Sequence, residues 1–527
     1  MKRKIYIYDT TLRDGTQTEG INFSVNDKIK IAEKLDSMGI SYIEGGWPGS
    51  NPKDMEFFES VKQKKFKNAK ITAFGSTRRA KVPVEQDENI LKLLESEAPV
   101  TTIFGKAWLL HVNEVLRISP EKNLEIVGDS CAYLKNHGRE VIFDAEHFFD
   151  GFIDNREFAI DVLKKACKNG ASTVVLCDTN GGTLPSKIKE ISEIVRKAIP
   201  ENVILGIHCH NDGGTAVANS ISAIEAGATH VQGTINGFGE RCGNANLCTI
   251  ICALELKLGL HCIGTEKLKH LKNLSDFVFE VANLPPDKRL PYVGESAFAH
   301  KGGMHVNAVN KNPKTFEHID PELVGNKRRI LISDLSGKSN IFMKIAEHNL
   351  NLNEKSPEIS EILMTLKKME NEGYEFEAAD ASFHILAQKV LKKHKPFFEL
   401  DGFRVIVEKR SKGEKCISEA TIKLNVKGEK ELTAAEGDGP VNALDHALRK
   451  ALIRFYPEIE KVHLSDFKVR IIDGKDGTAS KIRVLIESSD GKESWGTVGV
   501  SENIIEASWE ALVDSVEYQL FKKNRKN

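Results

Sequence analysis

Ile207-His208-Cys209-His210-Asn211-Asp212 is the stretch on which the fold turns. The apolar run leading into it, Val203 to Ile207, has the composition of a β-strand. Side chains two apart on a strand share a face, so His208 and His210 project together. Two imidazoles at that spacing hold one metal ion when a carboxylate joins them. Taken alone, they read equally well as two core histidines, and their surroundings must decide.

Working outward, residues 1–265 alternate short β-rich runs with longer amphipathic segments. The spacing predicts eight strands: Ile5–Asp9, Tyr42–Gly46, Ile71–Gly75, Thr101–Phe104, Val141–Ala145, Thr173–Asp178, Val203–His208 and His230–Asn236. Eight βα units in this length suit an α/β fold of the (β/α)8 TIM-barrel type. A doubly wound sheet is the alternative, but no Gly-x-Gly-x-x-Gly follows the first strand. A barrel places its chemistry at the C-terminal ends of its strands. The polar residues fall there: Arg13 and Asp14 after strand one, Glu44 on strand two, Asp144 and Glu146 on strand five. Thr179 follows strand six, His208 and His210 close strand seven, and Asn244 follows strand eight. That regularity favours the metal reading.

The chain has 527 residues, too many for one core, with 74 Lys and Arg against 75 Asp and Glu. A net charge near zero gives no electrostatic case for nucleic acid or an anionic membrane, and no apolar run is long enough to span a bilayer. Nine cysteines without paired spacing fit reduced thiols in a cytoplasm. We expect three parts: a catalytic barrel over residues 1–270, mostly helical linker subdomains over 271–395, and a C-terminal α+β domain over 396–527. In the linker, Asn340–Asn349, Ser360–Glu370 and Ser382–His394 have helical periodicity. Farther on, Gly402–Lys409, Ser418–Val426, Lys468–Asp473 and Ser480–Glu487 read as strands, and Val441–Ala451 and Ser501–Lys522 as helices. The Gly-rich segments Glu436–Pro440 and Gly496–Val500 read as tight turns, with a small-ligand site as the alternative.

Asp14, His208 and His210 offer one oxygen and two nitrogens, which suits zinc, manganese or a similar divalent ion with positions left for substrate. Asn244 could add a neutral oxygen. The fork of Arg13 suits a carboxylate or a developing oxyanion, or a salt bridge with Glu44. Such a site polarises an α-keto acid whose carboxylate Thr179 can hold. Carbon–carbon bond formation then needs a base for a weak carbon acid such as an acyl thioester methyl. Glu146 is the first candidate, working with His305.

These residues resemble a known family across essentially the whole chain: the metal-dependent TIM-barrel acyl-CoA condensing enzymes, which include the 2-isopropylmalate, homocitrate and citramalate synthases. Asp9-Thr10-Thr11-Leu12-Arg13-Asp14-Gly15, His208-Cys209-His210-Asn211-Asp212 and Gly239-Glu240-Arg241-Cys242-Gly243-Asn244-Ala245 carry the resemblance. It implies Asp14, His208, His210 and Asn244 as ligands to zinc, manganese or magnesium. It implies Arg13, Glu146 and His305 as catalytic, and Arg13, Glu44, Asp144 and Thr179 as substrate-binding. It also implies acetyl-CoA as co-substrate, a homodimer, and a C-terminal allosteric domain whose effector site includes Gly437, Asp438, Gly439 and Gly499.

Three features resemble the citramalate synthase branch of that family: the run Gly45-Gly46-Trp47-Pro48-Gly49, Asn246-Leu247-Cys248 after the Asn244 motif, and Asn307 in Met304-His305-Val306-Asn307. The expectation is therefore condensation of acetyl-CoA with pyruvate on a route to isoleucine, with isoleucine as feedback inhibitor. The alternative acceptor is 2-oxoisovalerate, the 2-isopropylmalate synthase reaction. A lyase or aldolase on the same barrel is disfavoured by the C-terminal domain, and a non-catalytic amino-acid sensor by the complete set of site residues.

Overall fold

The structure, a computed structural model, describes residues 3–333, 336–347, 352–353, 356–472 and 480–524. It divides into two compact units, residues 1–298 with 318–328, and residues 299–317 with 329–527.

In the first unit eight parallel strands close into a barrel in sequence order. They are β1 (Tyr6–Asp9), β2 (Tyr42–Gly46), β3 (Lys70–Ser76), β4 (Val100–Lys106), β5 (Glu140–Glu146), β6 (Ala171–Asp178), β7 (Ile204–Cys209) and β8 (His230–Gly233). Closure pairs β1 with β8, with Tyr8 opposite Gln232. The doubly wound alternative is thereby excluded. Helices cover the outside; Val25–Met38, for example, starts in a Ser24/Asp27 capping box and stops at Gly39 in the left-handed region (φ 86°). Strands buried on both faces explain why β2 has no exposed residue.

The two strand faces have different jobs. One packs on the helices through Ile7, Ile43, Ile103 and Val141. The other fills the lumen with Tyr8, Tyr42, Val100, Ile142, Val175 and Cys177. Inward positions recur every second residue. Climbing each strand therefore leads from this apolar layer to Glu44 on β2, Phe104 on β4, Asp144 and Glu146 on β5, His208 on β7 and Gln232 on β8.

The eighth strand ends three residues earlier than its apolar run suggests. Thr234 pairs with Asn246 instead, the Ile235 N–H is taken by Thr11 Oγ1 at 2.9 Å, and Asn236 turns left-handed (φ 64°). Side-chain and loop partners outcompete the sheet there.

The second unit opens with the short parallel pair β9 (Ala299–His300) and β10 (Arg329–Ile330). Helices follow at Gly303–Lys311, Lys338–Glu347, Pro357–Asn371 and Asp380–Val390. Residues 348–349 of the expected Asn340–Asn349 helix, and Asp473 at the end of an expected strand, lie outside the described residues.

The C-terminal portion is a repeat of three antiparallel strands and a helix. The first copy is β11 (Glu399–Glu408), β12 (Ile417–Val426) and β13 (Glu429–Gly437), then helix Pro440–Leu452. The second is β14 (His463–Ile471), β15 (Ile482–Ser489) and β16 (Ser494–Ser501), then helix Ile504–Asn524. Two of these strands depart from expectation. β13 is missed because its half-exposed sequence is rich in Glu and Ala. β16 contains the segment expected to be a turn. Its Gly496 and Gly499 are there for close packing, since a Cβ would fall 1.8 Å from the Ala378 carbonyl oxygen and 2.0 Å from that of Ala507. Helix Asp380–Val390, expected in the linker, contributes to this packing: the Ser382 hydroxyl donates to Asp514 at 2.7 Å and accepts from the Val498 N–H at 3.0 Å.

Candidate active site

The site begins at the turn after β1. The Asp9 carboxylate accepts from the Thr11 N–H and hydroxyl, both at 2.9 Å, and holds the turn. Arg13 then sends Nε to Glu44 Oε1 at 2.6 Å, and its guanidinium lies 3.7 Å over the Phe74 ring. Glu44 is fully buried and also accepts from the Tyr8 and Thr10 hydroxyls. Its oxygens are thus engaged by the protein. The Glu44 side chain does not line the cavity described below; the salt bridge with Arg13, the other reading of this pair, is what forms.

Asp14, His208 and His210 converge. Their ligand atoms lie within 4.8 Å of one another, and all three residues are buried. His208 Nε2 is 3.3 Å from Asp14 Oδ2 and 3.4 Å from His210 Nε2. Among the described residues no other trio of His, Cys, Asp or Glu converges in this way. Burial works against the Asp14 charge, but the Arg13 guanidinium and the His208 hydrogen bond hold its carboxyl well below the usual range. Burial and the neighbouring His208 push His210 down to about 4, so its ring is neutral near pH 7.

Asn244 reaches the same place through a glycine-framed loop. Its backbone bridges to His210, its Nδ2 donates to the Phe238 carbonyl at 3.1 Å, and its Oδ1 is buried without a hydrogen-bond partner. Gly239 (φ 158°) and Gly243 (φ 87°) make the loop feasible: a Cβ would fall 2.1 Å from Asn244 Nδ2 and 2.1 Å from the Gly237 carbonyl oxygen, respectively. Two imidazoles and a carboxylate that converge, with an unpartnered amide oxygen on the residue bridged to His210, are a donor set that fits a divalent cation.

Gln232, which we did not expect from the sequence, completes this arrangement. Its Oε1 accepts from His208 Nδ1 at 2.9 Å, and its Nε2 donates to Asp144 Oδ1 at 3.0 Å. β8 and β5 are not neighbours in the sheet, so this relay crosses the lumen. It places the His208 proton on Nδ1 and leaves Nε2 for a ligand. Asp144 is pushed up to about 7 by burial, with His208 pulling the other way.

The opposite wall carries Glu146 and Thr179. Glu146 pairs with Lys106, a second residue that we did not expect. Thr179 Oγ1 accepts from the His147 N–H at 2.9 Å, so its own hydrogen is left to donate. Arg241 borders the opening, bound to Asp212 at 2.7 Å and to the Thr179 carbonyl at 2.8 Å. Together with Trp47, Phe74, Phe104 and Cys177, the site residues Arg13, Asp14, Asp144, Glu146, Thr179, His208 and His210 enclose about 200 Å3. Trp47 stands edge-on to Phe74 and Phe104, at 5.7 and 5.6 Å between ring centroids.

His305 belongs to the second unit, where its ring stacks on Phe316 at 4.2 Å. In the C-terminal repeat, Gly437 ends β13, and Asp438 donates its N–H to Asn442 Oδ1 at 3.1 Å, which forms the turn into helix Pro440–Leu452 at Gly439. Gly499 lies inside β16, paired with Val484. A cavity of that region, about 580 Å3, is lined by Asn442, Asp445, His446, Arg449, Glu460, His463 and apolar neighbours.

Comparison with known families matches residues 4–278 to the HMGL-like family, 292–374 to the homocitrate synthase post-HMGL domain-like family, and 377–520 to the LeuA allosteric (dimerisation) domain. The (R)-citramalate synthase of Geobacter sulfurreducens is 58% identical over 98% of both chains. That of Aquifex aeolicus is 56% identical over 99% of both. A 2-isopropylmalate synthase of Methanocaldococcus jannaschii is 32% identical over 99% of this chain and 96% of its own.

Proposed function

The chain belongs to the HMGL-like family and, within it, groups with the (R)-citramalate synthases; on that premise we propose that it condenses acetyl-CoA with pyruvate and hydrolyses the thioester to citramalate and CoA. The acceptor follows those relatives, and the apolar wall of Trp47, Phe74 and Phe104 beside Arg13 supports it, since it suits a small apolar group on the keto acid.

Asp14, His208, His210 and Asn244 would hold a divalent ion, for which zinc or manganese suits the imidazoles better than magnesium. When bound, such an ion supplies a Lewis acid for the keto group. Arg13, aimed by Glu44, meets the charge that develops on the keto oxygen. Thr179 donates its hydroxyl hydrogen to the substrate carboxylate, since its oxygen already accepts from His147. Asp144 lines the cavity and contacts substrate with the oxygen that Gln232 leaves free, whereas Glu44 acts through Arg13.

Glu146 takes a proton from the acetyl methyl group. The freed C–H pair becomes the enolate double bond, which attacks pyruvate C2 as the keto C=O pair moves onto oxygen; that oxygen takes up the proton held by Glu146 or one from His305 and finishes as a hydroxyl. Water then adds to the acyl carbon, the C–S bond breaks, and CoA leaves as the thiol with one of the water's protons. His305 is proposed as the second proton-handling residue; its place in Met304-His305-Val306-Asn307 supports it.

The LeuA dimerisation match supports a homodimer and a C-terminal regulatory domain. We propose isoleucine as its effector, with Gly437, Asp438, Gly439 and Gly499 shaping the effector site, and we retain the division at residues 270 and 395. A cytoplasmic location fits nine unpaired cysteines. Among the described residues no helix is long and apolar enough to cross a membrane.

The test is CoA-thiol release from acetyl-CoA with divalent metal, comparing pyruvate, 2-oxobutyrate, 2-oxoisovalerate and 2-oxoglutarate. Preference for pyruvate supports the proposal. Preference for 2-oxoisovalerate would instead assign the 2-isopropylmalate synthase reaction.

A further inference from the structure

Lys106 closes β4 directly opposite Glu146 on β5, and the two are register partners in the parallel ladder. Their side chains leave the barrel rim side by side, and the Lys106 ammonium is hydrogen-bonded to Glu146 Oε2. Both are largely covered, with side chains 16% and 24% exposed. Lys106 is held from several sides. Its carbonyl accepts from the buried Asn123 amide at 2.9 Å, the Ala107 N–H bonds the Glu146 carbonyl at 3.2 Å, and the ammonium lies 5.6 Å from the Phe104 ring centre. Glu146 lines the cavity.

We propose that Lys106 is a positioning residue for Glu146, binding one carboxylate oxygen so that the other is presented to the carbon acid. This rests on the reading of Glu146 as the base. A glutamate on a flexible stem must meet a methyl C–H at a defined angle, and misplacement by an ångström costs about 100-fold in rate. The ammonium removes that freedom.

The test uses full-length, metal-loaded enzyme carrying Lys106→Met, Lys106→Arg or Glu146→Gln, each checked for unchanged thermal unfolding and metal content. In Lys106→Met, kcat should fall about 10- to 100-fold with the KM for pyruvate nearly unchanged. The isotope effect with methyl-deuterated acetyl-CoA should grow as proton abstraction becomes slower. Lys106→Arg should restore most of the rate, and adding Lys106→Met to Glu146→Gln should cost little more than Glu146→Gln alone. A wild-type kcat and isotope effect in Lys106→Met would overturn the proposal. So would a raised KM for acetyl-CoA with kcat intact, which would make Lys106 a cofactor contact. Full activity in Glu146→Gln would instead overturn the assignment of the base.

Discussion

Replacing Gln232 by Met keeps the volume of the side chain but removes both its hydrogen bonds, to His208 Nδ1 at 2.9 Å and to Asp144 Oδ1 at 3.0 Å. The residue is fully buried, so no water is at hand to replace it. A buried donor left without an acceptor costs about 1–3 kcal/mol, and His208 Nδ1–H is such a donor. Asp144 also loses its partner, yet its carboxyl already sits at about 7, so it takes up a proton rather than stand as an unpaired charge. The expected loss of stability is therefore about 2–4 kcal/mol. Metal affinity should fall about 10- to 100-fold, because the imidazole is no longer held with Nε2 toward the ion. The assay is titration of the stripped protein with Zn2+ or Mn2+ against a chelating dye, which needs no turnover. Gln232→Glu keeps an acceptor for Nδ1–H and should recover most of the affinity. If Gln232→Met bound metal as tightly as the wild type, the relay would have no part in the site.

Trp47→Ala should open the aromatic wall and raise the ratio of 2-oxobutyrate to pyruvate turnover by about 5- to 150-fold, since one methylene is worth about 1–3 kcal/mol; an unchanged ratio would place the acceptor methyl elsewhere. Metal binding should release protons near neutral pH. Burial lowers the His208 pKa, but the hydrogen bond and charge of Asp14 outweigh it, so the metal-free ring keeps its second proton to higher pH than an ordinary imidazole and the ion must displace it. Calorimetric titration in buffers of different ionisation enthalpy measures this, and affinity should weaken as pH falls. Ending the chain at Pro396 should abolish isoleucine inhibition. It should also lower the melting temperature of what remains, because helix Asp380–Val390 loses Asp514 and Val498; inhibition that survived the truncation would put the effector site elsewhere.

The barrel and the convergence of Asp14, His208 and His210 were legible because both obey short rules. Strand alternation puts His208 and His210 on one face, and βα repetition fixes which end of the strands carries the chemistry. Asn244 was also visible, since the glycines that frame it are in the motif. Gln232 and Lys106 were not. Each acts on a residue far away in sequence, across the lumen or the ladder, and a lone Gln or Lys at a strand end has no local signature. Glu44 shows the converse: its position predicted a substrate contact, and only the structure shows its oxygens taken up by Tyr8, Thr10 and Arg13. β16 was misread because glycine in a strand and glycine in a turn look alike until the neighbouring Ala378 and Ala507 carbonyls are in place.

The most direct measurement follows [2-13C]pyruvate by NMR in the presence of acetyl-CoA, with metal-loaded wild type and with His210→Ala. The account predicts that the labelled keto carbon becomes a tertiary alcohol carbon, one per CoA thiol released, and that His210→Ala leaves it a ketone. A labelled ketone that persists with wild-type enzyme, or an alcohol that forms as fast with His210→Ala, would contradict it.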